Sequence, residues 1–158
     1  MSAGNPKLLQ ILELLDREGV SYRQISHEPT RTSEDSARAR GEALETGGKA
    51  LLLKAGEDFA LFVLSAALKL DSQAVKRRLE VKSLRFASAE ELLELTGLVP
   101  GSVPPFGQPI LPFDLYVDES IRENERIAFN AGSLTDSLVI ETPDYLRVAA
   151  GASFNFSM

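Results

Sequence analysis

The chain contains no cysteine. That removes disulfides, thiolate metal ligands and a cysteine nucleophile together, and it fits a cytoplasmic protein. Histidine occurs once, as His27, so a multi-histidine metal site is excluded. A Ser-His-Asp triad would need His27 as its base, and no G-x-S-x-G elbow accompanies it. Neither a Walker loop nor a G-x-G-x-x-G fingerprint is present, which argues against nucleotide hydrolysis and dinucleotide cofactors. No apolar run reaches membrane-spanning length, and Pro6 to Glu18 is amphipathic and acidic rather than signal-like.

What remains is a chain of 158 residues, 44% apolar and 25% charged, the size and balance of one globular domain spanning residues 1–158. The net charge of −6 argues against a general nucleic-acid binder, but the charge is uneven. Between Lys69 and Arg85, six basic residues (Lys69, Lys76, Arg77, Arg78, Lys82, Arg85) face two acidic ones (Asp71, Glu80). This local excess of +4 leaves −10 elsewhere. Such a run is either a solvated helix face or a phosphate-contacting patch.

Local signals place the elements. Asn5-Pro6 caps a helix whose apolar stripe runs Leu8, Leu9, Ile11, Leu12, Leu15 and which Gly19 stops. A short strand is expected at Tyr22 to Ser26. A helix capped by Thr32 or Ser33 then runs to Gly41. Lys49 to Lys54 and Phe59 to Ser65 read as a central hairpin, apolar on consecutive positions and hence covered on both faces. Asp71 caps the basic helix through Leu79, Leu84 to Ala87 is a short strand, and Ser88 with Glu91 forms a capping box for a helix ending at Gly97. The prolines and glycines of Leu98 to Pro112 forbid a helix or central strand there. Strands near Phe113 to Val117, Arg126 to Asn130 and Ser137 to Ile140 precede a short helix opened by Thr142-Pro143. The fold class is α+β.

Three features bear on chemistry, each with an ordinary alternative. Lys49 follows two glycines at the start of a buried strand, so it is either a solvated lysine or one held in a cleft. Gly101-Ser102-Val103-Pro104-Pro105-Phe106-Gly107 is either a plain connection or a rigid loop exposing amides to a carboxylate, ester carbonyl or phosphate oxygen. His27, at a strand end, is either a hydrogen-bonded structural residue or a base.

The order of motifs resembles the YbaK/ProX superfamily, relatives of the editing domain inserted in bacterial prolyl-tRNA synthetases. Its first half is carried by His27-Glu28-Pro29, the helix closed by Gly41, Gly48-Lys49-Ala50-Leu51-Leu52-Leu53-Lys54 and Leu70-Asp71. Leu84-Arg85-Phe86-Ala87-Ser88 with Glu90-Glu91, Thr96-Gly97, the Gly101 to Gly107 loop, Tyr116-Val117-Asp118-Glu119-Ser120 and Ala131-Gly132 complete it. The likeness covers roughly residues 7 to 148.

The resemblance implies a mixed, partly closed β-sheet wrapped by helices, and trans-acting hydrolysis of the ester joining a wrong small amino acid to tRNA. It implies Lys49 as the essential residue and no cofactor or metal. Water, assisted by the ribose hydroxyl of the substrate, would replace a side-chain nucleophile. The implied substrate contacts are Gly101, Ser102, Val103, Pro104, Pro105, Phe106, Gly107, His27, Thr32, Ala131 and Gly132. Lys54, Lys69, Lys76, Arg77 and Arg78 would touch the tRNA acceptor end, with no membrane involved. The alternative is a non-catalytic tRNA- or nucleotide-binding or regulatory module on the same fold. Where the alanine-editing branch carries a His-Pro-Leu-type segment, this chain has Phe129-Asn130-Ala131-Gly132. Where the cysteine-editing branch has an aromatic residue it is polar near Thr32, and Ala131-Gly132-Ser133 replaces that branch's Ser-Gly-Gly turn. The hydroxyls of Thr30, Thr32 and Ser33 therefore bear on which amino acid fits.

Overall fold

The computed structural model describes residues 5–30 and 32–158. Helix α1 (Pro6–Arg17) starts where expected: the Asn5 side chain accepts the Leu8 N–H at 3.1 Å, and Leu8, Ile11, Leu14 and Leu15 are its buried face. Strand β1 (Tyr22–Ser26) follows, then α2 (Ser33–Arg40), whose cap is Thr32, accepting the Asp35 N–H at 3.0 Å. The central hairpin is β2 (Gly48–Ala55) with β3 (Asp58–Ser65). Helix α3 (Ser72–Leu79), β4 (Leu84–Phe86), α4 (Ala89–Thr96) and β5 (Asp114–Asp118) come next. β6 (Arg126–Asn130), β7 (Asp136–Glu141), α5 (Thr142–Ala149) and β8 (Ala152–Phe154) complete the order.

The strands form two sheets, neither closed on itself. One has three strands in the order β1-β7-β6, all antiparallel. The other is mixed, in the order β4-β2-β3-β5-β8, with β5 parallel to both β3 and β8. A bridge between Gly47 and Ala128 links them. The closeness of that contact explains the glycine beside it: a Cβ on Gly48 would stand 2.5 Å from Ile127 Cδ1.

Consecutive apolar residues in the hairpin do mean cover on both faces. Leu61 and Val63 of β3 enter the larger core with α1, Ile127, Phe129, Leu138 and Ile140. Their neighbours Ala60, Phe62 and Leu64 enter a smaller core with Leu53, Val75 and Phe156. The C-terminal tail, unassigned from sequence, seals that second core. Phe156 is fully buried edge-on to Phe62, and its N–H donates to Asp118 Oδ1 at 2.6 Å. Beyond it, Met158 exchanges backbone hydrogen bonds with Lys69, and Asp71 N–H donates to the Phe156 carbonyl. Strand β8 had no clear sequence signal because its three residues pair only along β5.

Among the described residues no helix is long and apolar enough to cross a membrane.

Candidate functional site

The site lies along the edge of β2 that faces away from β3, where no strand pairs with it. Ala66 N–H bonds to the Gly47 carbonyl and Ala87 N–H to the Leu52 carbonyl. Odd-numbered residues of β2 therefore turn their backbone groups toward β3, and even-numbered ones turn them outward. Strand β4 covers only Leu53 to Ala55, so the amide and carbonyl of Ala50 are left without a strand partner. Beside this bare edge is a hollow of about 230 Å³. That is below the roughly 300 Å³ at which drug-sized sites begin, and suits a small group.

Thr30, Thr32, Ser33, Ser36 and Arg40 form one wall, from α2 and the residues before it. Gly47 to Leu51 form the floor, and Gly101, Val103 and Asn130 form the opposite wall. Lys49 and the glycine-proline loop thus converge on one hollow. Lys49 is half-buried and donates from Nζ to the Leu68 carbonyl at 2.5 Å. Burial holds its ammonium below the ordinary lysine range; the Glu34 charge opposes this and Lys69 adds to it.

Only part of the loop faces the hollow. Gly101, at φ +88°, and Val103 line it. Among the described residues neither of their N–H groups donates to a protein acceptor, which leaves two main-chain donors available. Ser102 is turned under the loop, its hydroxyl bonded to Val99. The Pro105 carbonyl accepts from Tyr145 Oη at 2.7 Å, and Phe106 packs edge-on against Phe129 and Tyr145. Pro104 and Gly107 are buried as well. These residues brace the loop from beneath.

Ala131 and Gly132 also stand behind the wall: Gly132 N–H donates to the Ser102 carbonyl, and a Cβ there would meet Asn5 and Lys7 at 2.7 Å. Their neighbour Asn130 is the residue that reaches the hollow.

A buried polar chain ties the two walls together, and the sequence reading passed over its centre. Arg40 is 8% exposed, its Nε on Ser137 Oγ at 3.0 Å and its Nη2 on Asn130 Oδ1 at 3.0 Å. Asn130 Nδ2 in turn donates to the Gly101 carbonyl at 2.8 Å. Burial pushes the Arg40 guanidinium down to about 10, with the Glu42 charge partly offsetting it. Glu42 itself pairs with Arg23 and Arg126.

His27 sits at the outer end of this chain rather than in the hollow. Its Nδ1 lies 2.8 Å from the Glu28 carbonyl, which marks that nitrogen as the donor, and its Nε2 lies 2.8 Å from Ser137 Oγ. The single Ser137 proton therefore has two acceptors, His27 Nε2 and Asn130 Oδ1.

Of the cations read as tRNA contacts, Lys69 is near enough to Lys49 to affect its charge. Lys54 stands over the Phe59 ring at 5.8 Å and Arg78 over Phe154 at 5.2 Å, while Lys76 and Arg77 lie in the last turn of α3; none of these four lines the hollow. Among the described residues no carboxylate lines the hollow either, so Lys49 and Arg40 make it cationic.

These residues define a mixed-sheet α+β domain carrying a cationic, hydroxyl-walled hollow beside a bare strand edge. The chain is a member of the aminoacyl-tRNA editing domain family, whose model matches residues 27–148. It is 37% identical over 162 residues to the multifunctional Ser/Thr-tRNA deacylase ProXp-y of Escherichia coli (strain K12), spanning 99% of this chain and 96% of that protein. It is 35% identical over 101 residues to the proline–tRNA ligase of Shouchella clausii, covering 64% of this chain and 18% of that one. A solved structure described as a candidate trans-editing enzyme for prolyl tRNA synthetase superposes with a TM-score of 0.84. It is 24% identical and covers 97% of this chain and 98% of that one, a likeness of fold.

Proposed function

We propose that this protein is a trans-acting aminoacyl-tRNA deacylase, one editing domain acting in the cytoplasm on the acceptor end of tRNA wrongly charged with serine or threonine. The observation that carries the reading is the convergence of Lys49, Gly101 and Val103 of the loop and four hydroxyl-bearing residues on one small hollow.

The ester of an aminoacyl-tRNA is already activated, so positioning and carbonyl polarisation suffice. Water adds to the carbonyl carbon, and the developing oxyanion takes hydrogen bonds from the loop amides. The bond to the ribose oxygen then breaks, with the water proton passing to that oxygen through the neighbouring ribose hydroxyl. Free amino acid and uncharged tRNA result. Lys49 supplies positive charge next to the ester. Lys54, Lys69, Lys76, Arg77 and Arg78 are the cations that supply contacts to acceptor-stem phosphates.

The similarity to a Ser/Thr-tRNA deacylase supports the choice of amino acid, and so does the wall chemistry. Thr30, Thr32, Ser33 and Ser36 offer hydroxyl partners to a substrate hydroxyl, with Ser36 already donating to Thr30 Oγ1 at 2.8 Å. A site built around such contacts rejects analogues that lack the hydroxyl far more strongly than a size filter does.

The test is loss of the ester from tRNAs charged with Ser, Thr, Ala and Cys. Seryl and threonyl esters are expected to be hydrolysed fastest. Lys49→Ala should lower the rate by about 10²–10³-fold, the effect of removing one polarising group, at unchanged melting temperature. Salt-sensitive binding of these tRNAs with no hydrolysis would replace the enzyme with a binding module.

A further inference from the structure

A second, smaller groove adjoins the hollow and nothing above uses it. It measures about 130 Å³ and shares Ala50, Leu51, Gly101 and Val103 with the hollow as a common rim. Its own lining is apolar, with Leu52, Phe86, Ala87 and Leu92 prominent. Phe86 is 59% exposed and is the one aromatic among the large apolar side chains that the described residues leave in solvent. An isolated exposed leucine needs no explanation, but an exposed phenylalanine on the lip of a groove running into a binding hollow does.

Register fixes its position relative to Lys49. Phe86 pairs with Leu53 across β2 and β4, so both side chains project from the same face of the sheet. Lys49, Leu51 and Leu53 alternate onto that face as well, and Leu52 and Ala87 onto the other, so the groove runs along the bare edge between the two faces. From Leu51, on the shared rim, to the Phe86 pair is two residues, about 7 Å along the strand. That is the scale on which a ribose separates an ester on its hydroxyl from the base on its other side. Leu52 lies between the two, and Ala50, just beyond Leu51, has an outward amide and carbonyl with no strand partner.

We propose that this groove is a nucleobase subsite, in which the terminal base of the acceptor strand stacks on Phe86 while its aminoacyl ester occupies the hollow. The proposal rests on the deacylase reading for the identity of the ligand. Stacking on a single aromatic ring is tolerant of sequence and needs no hydrogen-bond code, which suits an end shared by many tRNAs.

The probe is an RNA trinucleotide C-C-A carrying serine in a non-hydrolysable amide at its 3′ end, titrated calorimetrically into the whole protein. An identical probe with an abasic 3′ residue is the control. Phe86→Ala is expected to weaken the intact probe about tenfold, and Phe86→Trp to restore binding. The abasic probe should bind weakly and equally to all three proteins. Because the ring is mostly exposed, both variants should keep the parent melting temperature.

Equal affinity of the parent and Phe86→Ala for the intact probe would overturn the subsite. So would a matching loss on the abasic probe, which would mean general damage. Phe86-dependent binding by a protein that fails to hydrolyse seryl-tRNA would sink the deacylase reading and leave the subsite standing.

Discussion

Asn130 is the joint between the two walls of the hollow: its carbonyl oxygen receives Arg40 from α2 and its amide holds the Gly101 carbonyl. Asn130→Ala removes both, stranding a buried guanidinium edge and freeing the loop. The expected cost is about 1–3 kcal/mol of stability, from leaving buried partners unpaired. In a protein kept folded, kcat for seryl-tRNA should fall more than KM rises, because the loop amides matter most at the oxyanion. Equal kcat in variant and parent would remove Asn130 from the positioning role. Lys49 makes a pH prediction. Its ammonium is depressed by burial, so the alkaline fall in kcat/KM should set in below the ordinary lysine value of 10.5. The sign for stability is opposite. The native state gives up this proton before the unfolded chain does, so rising pH in that window favours the fold. A Lys49→Arg variant that retains activity should lose the alkaline limb, since guanidinium stays charged.

At the scale of single elements, helix starts are the most local features and were read correctly. Asn5-Pro6 caps α1, Asp71 caps α3, and Ser88 with Glu91 forms a reciprocal box at α4. In that box Glu91 also takes two hydrogen bonds from Arg85, and this guanidinium, with the Ser88 N–H second, pulls its carboxyl down to about 2. Because the folded value is depressed, the stabilisation is present above the unfolded value near 4.5 and fades as pH falls toward 2. Glu91→Gln should therefore reduce stability at pH 7 and make no difference near pH 2, as thermal melts at both values would show. What sequence could not reveal is equally concrete. Arg40 sits in Ser-Glu-Asp-Ser-Ala-Arg-Ala-Arg, a stretch that reads as a solvated helix. Its burial depends on Asn130 and Ser137, some ninety residues away. Likewise Ala131-Gly132 stood out as a motif, yet the residue in the hollow is the one before it. Phe106 looked like part of a binding loop, and its ring is core.

Across the whole molecule, the mixed sheet separates two cores that stabilise the site from different sides. The larger braces the loop through Phe106, Phe129 and Tyr145. The smaller is closed by Phe156, whose ring meets Phe62 at 5.5 Å. Phe156→Ala should cost about 3–5 kcal/mol, the usual range for emptying such a position, and denaturant midpoints would measure it. A shift under 1 kcal/mol would mean the tail is not integral to that core.

The same tail holds the segment Lys69 to Asp71 by three backbone hydrogen bonds, and Leu68, immediately before it, carries the carbonyl that receives Lys49. Deleting residues 157–158 removes two of these three bonds while leaving Phe156 in its core, and so slackens the seat of the Lys49 ammonium without touching the hollow. Deacylation by such a variant should fall while its melting temperature stays close to that of the parent.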